Sequence, residues 1–322
     1  MTGRQDPDVL RAASMYYLQD LKMDVIARHL GTSRSTVSRL LKTARESGLV
    51  EIKINSPSSR AGDLVAAIKD RFDVTAFVVP VPDTASDVDR LEQVSLTAAR
   101  LVSSWFDSHM VLGIAWGTTL AAVSRQLGVK PTRGSVIVQL NGAANPQEGG
   151  VEYAADLISA FGSAFGATVH HFPVPTFFDY AATKEAMWQE RSIRWVLDVQ
   201  RRSDMVLFGV GAMDASMPSY VYTAGYLNEA DLALIEAEGV VGDVCTVLLR
   251  EDGSYEDISL NARATGPTPA ELQRVPKRVC VVAGDKKVVP LLGALRAGAV
   301  TDLILDELTA NKLIEYVADA AK

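Results

Sequence analysis

The sequence predicts a two-part α/β protein. A small N-terminal domain of the (winged) helix-turn-helix kind precedes a large Rossmann-like α/β domain. Three observations carry this prediction. Two short helical patterns meet at a glycine near residue 31. From about residue 74, β-branched runs alternate with amphipathic helical stretches, the pattern of a parallel sheet covered on both faces. Charge is also divided unevenly: residues 1–60 hold 10 basic and 6 acidic side chains, and the remaining chain holds 22 and 33. A basic end on an acidic body marks that end for nucleic acid.

The chain has 322 residues, which suggests two domains. We read residues 1–55 as the helix-turn-helix domain, 56–62 (polar, with Pro57 and Gly62) as a linker, and 63–322 as the α/β body. A 48% hydrophobic and 22% charged composition excludes a disordered chain, a collagen-like repeat and a disulfide scaffold. Cys245 and Cys280 stand far apart in apolar runs, so they read as buried, inert thiols. There is no leader-like apolar region at the N-terminus and no run long enough to span a bilayer, from which we expect a cytoplasmic protein.

The elements follow in order. Pro7 and Asp8 open a first helix with Val9, Ala12, Ala13, Tyr16 and Tyr17 at helical spacing. MDVIARHL forms a second. Ser33 is placed as the N-cap of a third, RSTVSRLLKTARES, which Gly48 ends. Ala27 is small enough for the helix crossing, Gly31 suits a turn with positive φ, and Val37 and Leu40 are expected on the inner face. LVEIKIN alternates as a strand would and predicts a wing, with Lys53 near the DNA backbone. The outer face of the third helix would meet a major groove. Ser33, Arg34, Ser35, Ser38 and Arg39 stand at or near its N-terminus, and the last four are candidates for base edges. Lys42 and Arg45, further along, suit phosphate.

In the body, strands are expected in TAFVVPV, MVLGIAWG, VIVQLNG, TVHHFPV, DMVLFGVG, VCTVLLR, VCVVAG and DLILD. Helices are expected at Asp63–Arg71 and near 87–106, 118–127, 151–165, 183–199, 229–237, 286–297 and 307–320. Ligands of such sheets bind beyond the carboxyl ends of the strands. Gly117, Thr118 and Thr119 there open a helix and suit an anion, or serve only as a cap. Asn141 and Gly142 follow the next strand; Asn141 suits a sugar hydroxyl or simply a turn. Asp243 could accept from hydroxyls or be a turn residue. Lys287 could neutralise an anion or be solvated. Trp116 could stack on a ligand but reads more simply as core. GVGAMD has Asp214 where a dinucleotide fingerprint needs its third glycine, so its glycines are expected to allow a close approach instead. His170 and His171 would face opposite ways on a strand, and no metal or nucleophile motif is found. We therefore assign no catalytic residue, no metal and no cofactor.

The order of these features resembles the SorC family of sugar-responsive bacterial transcriptional regulators over nearly the full length. The carrying segments are SRSTVSRLLKTARESGLVEIKI, GIAWGTTL, VIVQLNGA, MVLFGVGAM, LNEADLALIEAEGVVGDVC and VVAGDKKVVPLLGALRAGAVTDLILDELTA. The resemblance implies an effector domain similar in fold to sugar-phosphate isomerases and deaminases. It implies as partners double-stranded operator DNA, a sugar, polyol or sugar-phosphate effector, and further copies of the chain, commonly in a homotetramer. By position it places Gly117, Thr118 and Thr119 in a phosphate loop and Asn141, Gly142, Asp243 and Lys287 around the sugar. Two departures stand out: no arginine in GAANPQEGG to hold a second phosphate, and Ala283–Gly284 in place of a double glycine. The expected function is a transcriptional regulator, repressor or activator. The alternative is an isomerase- or deaminase-like enzyme with an appended DNA-binding domain, in which Asp243 and Lys287 could act as acid and base.

Overall fold

A computed structural model describes residues 7–18, 21–50, 59–146, 149–215 and 219–319. The chain divides into two compact units, Met1–Pro57 and Ser58–Lys322.

In the first unit, α1 (Pro7–Ala13) runs into a π-helical turn (Ser14–Leu18), followed by α2 (Met23–His29) and α3 (Arg34–Glu46). Pro7 suits the first helical position, where its missing N–H costs nothing. Ala12, Ile26, Ala27, Val37 and Leu41 form the core, and Val9, Ala13 and Ala44 close it where α1 meets α3. Val37 is buried as expected, but Leu40 is only half-buried. The inner face of α3 instead runs Val37, Leu41, Ala44, the i, i+4, i+7 spacing that keeps side chains in one stripe. Gly31 holds φ at 62°, a left-handed turn that a β-carbon would disfavour. The expected wing from Leu49 and its Lys53 lie almost wholly outside the described residues.

In the second unit, α4 (Ser59–Phe72) takes in the last part of the stretch read as linker and leads to β1 (Thr75–Val79). Then come α5 (Asp87–Trp105), β2 (Val111–Ile114), α6 (Thr118–Arg125), β3 (Val136–Gln139), α7 (Gly150–Phe165), β4 (Thr168–His170), α8 (Ala181–Met187) and α9 (Arg191–Arg201). The chain continues through β5 (Met205–Phe208), β6 (Val210–Gly211), α10 (Tyr220–Thr223), α11 (Glu229–Ala237), β7 (Gly242–Val244), β8 (Val247–Leu249) and α12 (Pro269–Leu272). It ends with β9 (Lys277–Val282), α13 (Val288–Arg296), β10 (Asp302–Asp306) and α14 (Glu307–Asp319).

Seven strands form one sheet in the order β1-β10-β9-β5-β2-β3-β4, and every pairing in it is parallel. Successive residues of its strands enter opposite cores. Val206, Phe208, Cys280, Val282, Leu303 and Leu305 pack with Leu291 and Leu313 on one face. Met205, Leu207, Val279, Val281 and Ile304 pack with Val94, Ala98, Leu120 and Phe161 on the other. Both faces are covered, which is why the strands read as unbroken apolar runs.

From β2 the chain moves outward to β3 and β4. It returns to β5 on the other side of β2 and moves on to β9 and β10. The carboxyl ends of β2 and β5 therefore flank the point where the winding reverses, where open α/β sheets bind their ligands.

Two expectations are corrected. VCTVLLR is not one strand: β7 and β8 are antiparallel, joined through Cys245 and Thr246, and with β6 they form a separate three-stranded sheet. The helical stretch 183–199 is two helices, α8 and α9. An ion pair is sunk at the end of β10. Arg90 donates to Asp306 at 3.2 Å and to the carbonyls of Pro82 and Asp83, and both side chains are almost wholly buried.

Candidate functional site

The first site is the outer face of α3. Ser33 Oγ accepts from Thr36 N at 3.2 Å, satisfying one of the free N–H groups that open the helix. Ser33, Arg34, Ser35, Ser38, Arg39, Lys42 and Arg45 are all exposed, whereas Val37 and Leu41 are buried. Some are loosely tethered. Arg34 lies 3.6 Å from Asp24, Lys42 lies 3.6 Å from Glu46, and Arg39 donates to Thr36 Oγ1 at 3.4 Å. Exposed pairs of this kind contribute little, so these cations are cheaply redirected.

The second site is a cleft at the reversal point between β2 and β5. Its walls include Gly117, Thr118, Thr119, Asn141, Asp243 and Lys287, six of the seven positions assigned to an effector from sequence. Gly117 caps α6 with φ at 154°, and Thr118 and Thr119 begin the helix. The N–H groups of this first turn point at the cleft end, where they favour an anion. Lys287 Nζ lies 3.4 Å from Thr119 Oγ1. Burial lowers the pKa of Lys287, while Cys280 and Asp243 oppose that shift. Asn141 is buried, and its carbonyl oxygen Oδ1 has no hydrogen-bond partner among the described residues. A buried acceptor left unpaired is costly, so it marks a place for a donor.

Asp243 is fixed by its surroundings. Its carboxylate accepts from the Tyr222 hydroxyl at 2.9 Å and from Thr246 N at 2.8 Å. Burial raises its pKa, and the bonds from Thr246 and Tyr222 and the charge of Lys287 pull it back. Gly211 makes this placement possible: a β-carbon there would collide with Asp243 Oδ1. The glycines of GVGAMD thus allow a close approach, as their pattern suggested.

Gly142 is not brought to the cleft. Its N–H donates to Thr265 Oγ1 at 3.0 Å, and its carbonyl accepts from Trp116 Nε1 at 2.8 Å. A β-carbon on it would collide with the carbonyls of Val174 and Pro175. Its place is to hold Trp116, which is buried in the core and also lines the cleft. Further wall residues had no signal in the sequence: Ser219 and Tyr220 at α10, and Cys245 and Thr246 in the turn between β7 and β8. Both turn residues have positive φ, 50° and 71°, without being glycine. Their signature is conformational, so residue type does not betray it. Cys245 and Cys280 are free and buried, with burial pushing both thiols up, Cys280 to about 12. The free space between the walls is about 40 Å³, room for a few water-sized groups.

The sequence model of a family described as "Putative sugar-binding domain" matches residues 56–315. The chain belongs to this family. A domain of a possible sugar-binding transcriptional regulator from Arthrobacter aurescens TC1 is 49% identical, with a TM-score of 0.76 over 81% of this chain and 99% of that one. The deoxyribonucleoside regulator of Bacillus subtilis (strain 168) is 29% identical across 95% of this chain and 96% of its own. The full-length sorbitol operon regulator SorC of Klebsiella pneumoniae shares the fold, with a TM-score of 0.71 at 23% identity over 95% of this chain and 98% of that one. The resemblance to SorC-family regulators read from the sequence therefore holds, and with it the α/β sugar-binding fold. No helix among the described residues is long and apolar enough to cross a membrane.

Proposed function

We propose that this chain is a transcriptional regulator whose affinity for operator DNA is set by a sugar, polyol or sugar phosphate in the switch-point cleft. The observation that carries this reading is the buried, unpartnered Asn141 Oδ1 in a cleft that also holds Lys287 and the N-terminus of α6. Such a site offers an acceptor for a hydroxyl and positive potential for an anion. The exposed face of α3, with Ser33, Arg34, Ser35, Ser38, Arg39, Lys42 and Arg45, reads the DNA. Operators of helix-turn-helix proteins are read as paired half-sites, so the chain acts as an oligomer, a homotetramer by its resemblance.

Control follows from linkage. A ligand shifts an equilibrium only by its difference in affinity for the two states, and moving 1:99 to 99:1 takes about 5.5 kcal/mol. The bond from Tyr222 to Asp243 ties α10 to the cleft, and a sugar hydroxyl that donates to Asp243 competes with it. That competition makes the liganded arrangement differ from the empty one.

The enzyme reading rests on Asp243 and Lys287, whose burial moves their pKa values toward each other. Both Asp243 oxygens are already committed to Tyr222 and Thr246, which suits a fixed acceptor better than a moving proton. The chain therefore binds its ligand without turning it over. The test is a thermal-shift panel of sugars, polyols and their phosphates on the purified protein, with each stabilising ligand then assayed for turnover. A stabilised, unconverted ligand is the expected result. Conversion would establish the enzyme, and a panel without any shift would remove the effector.

A further inference from the structure

A second cavity, of about 390 Å³, lies in the same unit and is separate from the cleft. Leu140 and Asn141 are consecutive, yet Leu140 lines this cavity and Asn141 lines the cleft. The two spaces therefore meet the chain at adjacent residues of the segment just beyond β3. Gln200 fixes that segment from the cavity side, with Nε2 donating to the carbonyls of Gln139 and Leu140 at 2.8 and 3.2 Å.

The chemistry of the second cavity is also different. Its apolar lining comes from Leu140, Trp188, Leu197, Val206, Leu272 and Val275. Its charged lining is Lys184, Arg201, Arg274 and Glu271, an excess of cations. Glu271 is turned to the backbone, where its carboxylate accepts from Thr268 N at 2.9 Å and from Thr268 Oγ1 at 3.1 Å. Lys184 Nζ lies 5.6 Å from the centre of the Trp188 ring, and burial lowers its pKa. Arg201 shares Asp198 at 2.7 Å, and Arg274 is exposed. The apolar walls favour a ligand with an apolar body over a polyol. An apolar ring would bury surface there and leave its anionic group among the cations.

We propose that this cavity is a second ligand site, for a small anion with an aromatic or branched apolar body: a carboxylate, a sulfonate or a phosphate monoester. The probe is 8-anilinonaphthalene-1-sulfonate, titrated by fluorescence into the folded full-length protein. Saturable binding of one probe per chain is expected. Arg274→Glu should weaken it about tenfold or more, as expected for loss of a charge-assisted contact, and Arg274→Gln should weaken it less. Leu197→Trp, which adds bulk to the cavity wall, should weaken it. Thr118→Val, in the other cleft, should leave it unchanged. Unchanged affinity in both Arg274 variants would overturn the assignment, whether or not Leu197→Trp folds. So would a probe affinity that follows Thr118→Val.

Discussion

The two units carry their chemistry in opposite ways. On α3 the side chains proposed to read DNA stand in water, and the fold needs them little: Val37, Leu41 and Ala44 hold the helix, and Arg34, Ser38 and Arg39 are exposed. In the cleft, Thr119, Asn141, Asp243 and Lys287 are all buried. Each buried polar group has to be satisfied by a neighbour or by a ligand. The difference separates stability from function in the first unit and couples them in the second.

Breaking the second unit is the largest effect expected. Asp306 accepts from Arg90, from Gly284 N at 3.0 Å and from the Thr309 hydroxyl at 2.6 Å, and so anchors the loop that leads to Lys287. Asp306→Ala leaves Arg90 buried without its counter-charge and should cost about 3–5 kcal/mol, read by denaturant unfolding. A loss below 1 kcal/mol would mean that the pair is not buried in solution. On α3 the expected pattern is reversed. Arg39→Ala should cost about 1–3 kcal/mol in specific DNA binding at fixed salt, with unfolding changed by less than about 0.5 kcal/mol. Equal operator affinity would move the recognition surface elsewhere. Ser33→Ala probes the one position of that face that also serves the fold. Loss of the cap should cost about 1 kcal/mol of stability, measured by the same unfolding experiment.

The smallest effect concerns pH. Lys287 has a lowered pKa in the folded chain, so between that value and the ordinary lysine value near 10.4 the unfolded chain holds more protons. Stability contributed by this group therefore rises as pH climbs through that window. Lys287→Met should flatten the rise. Parallel stability–pH curves for the two proteins would show that Lys287 is solvated.

The sheet was legible because burial on both faces writes strands such as Val279–Val282 and Leu303–Leu305 as plain apolar runs. Six cleft residues were legible because a glycine, hydroxyls, an amide and charges cluster at strand ends. The hairpin between β7 and β8 was not. Its turn falls on Cys245 and Thr246, where a sequence reader looks for Asn or Gly. Leu40 and Leu41 are chemically alike, so only packing against Ile26 and Ala12 decides which turns inward. Gly142 looked like a ligand contact, but its side is taken by the carbonyls of Val174 and Pro175.

The central claim joins the two units, and one measurement tests it most directly. Operator DNA is selected from a random-sequence pool by the purified protein, then titrated at fixed salt with and without the ligand that stabilises it most. The wild-type chain should change its DNA affinity when the ligand is present, and Thr118→Val should bind the same DNA with the change blunted or gone. A DNA affinity indifferent to every stabilising ligand, or an undiminished response in Thr118→Val, would contradict the account.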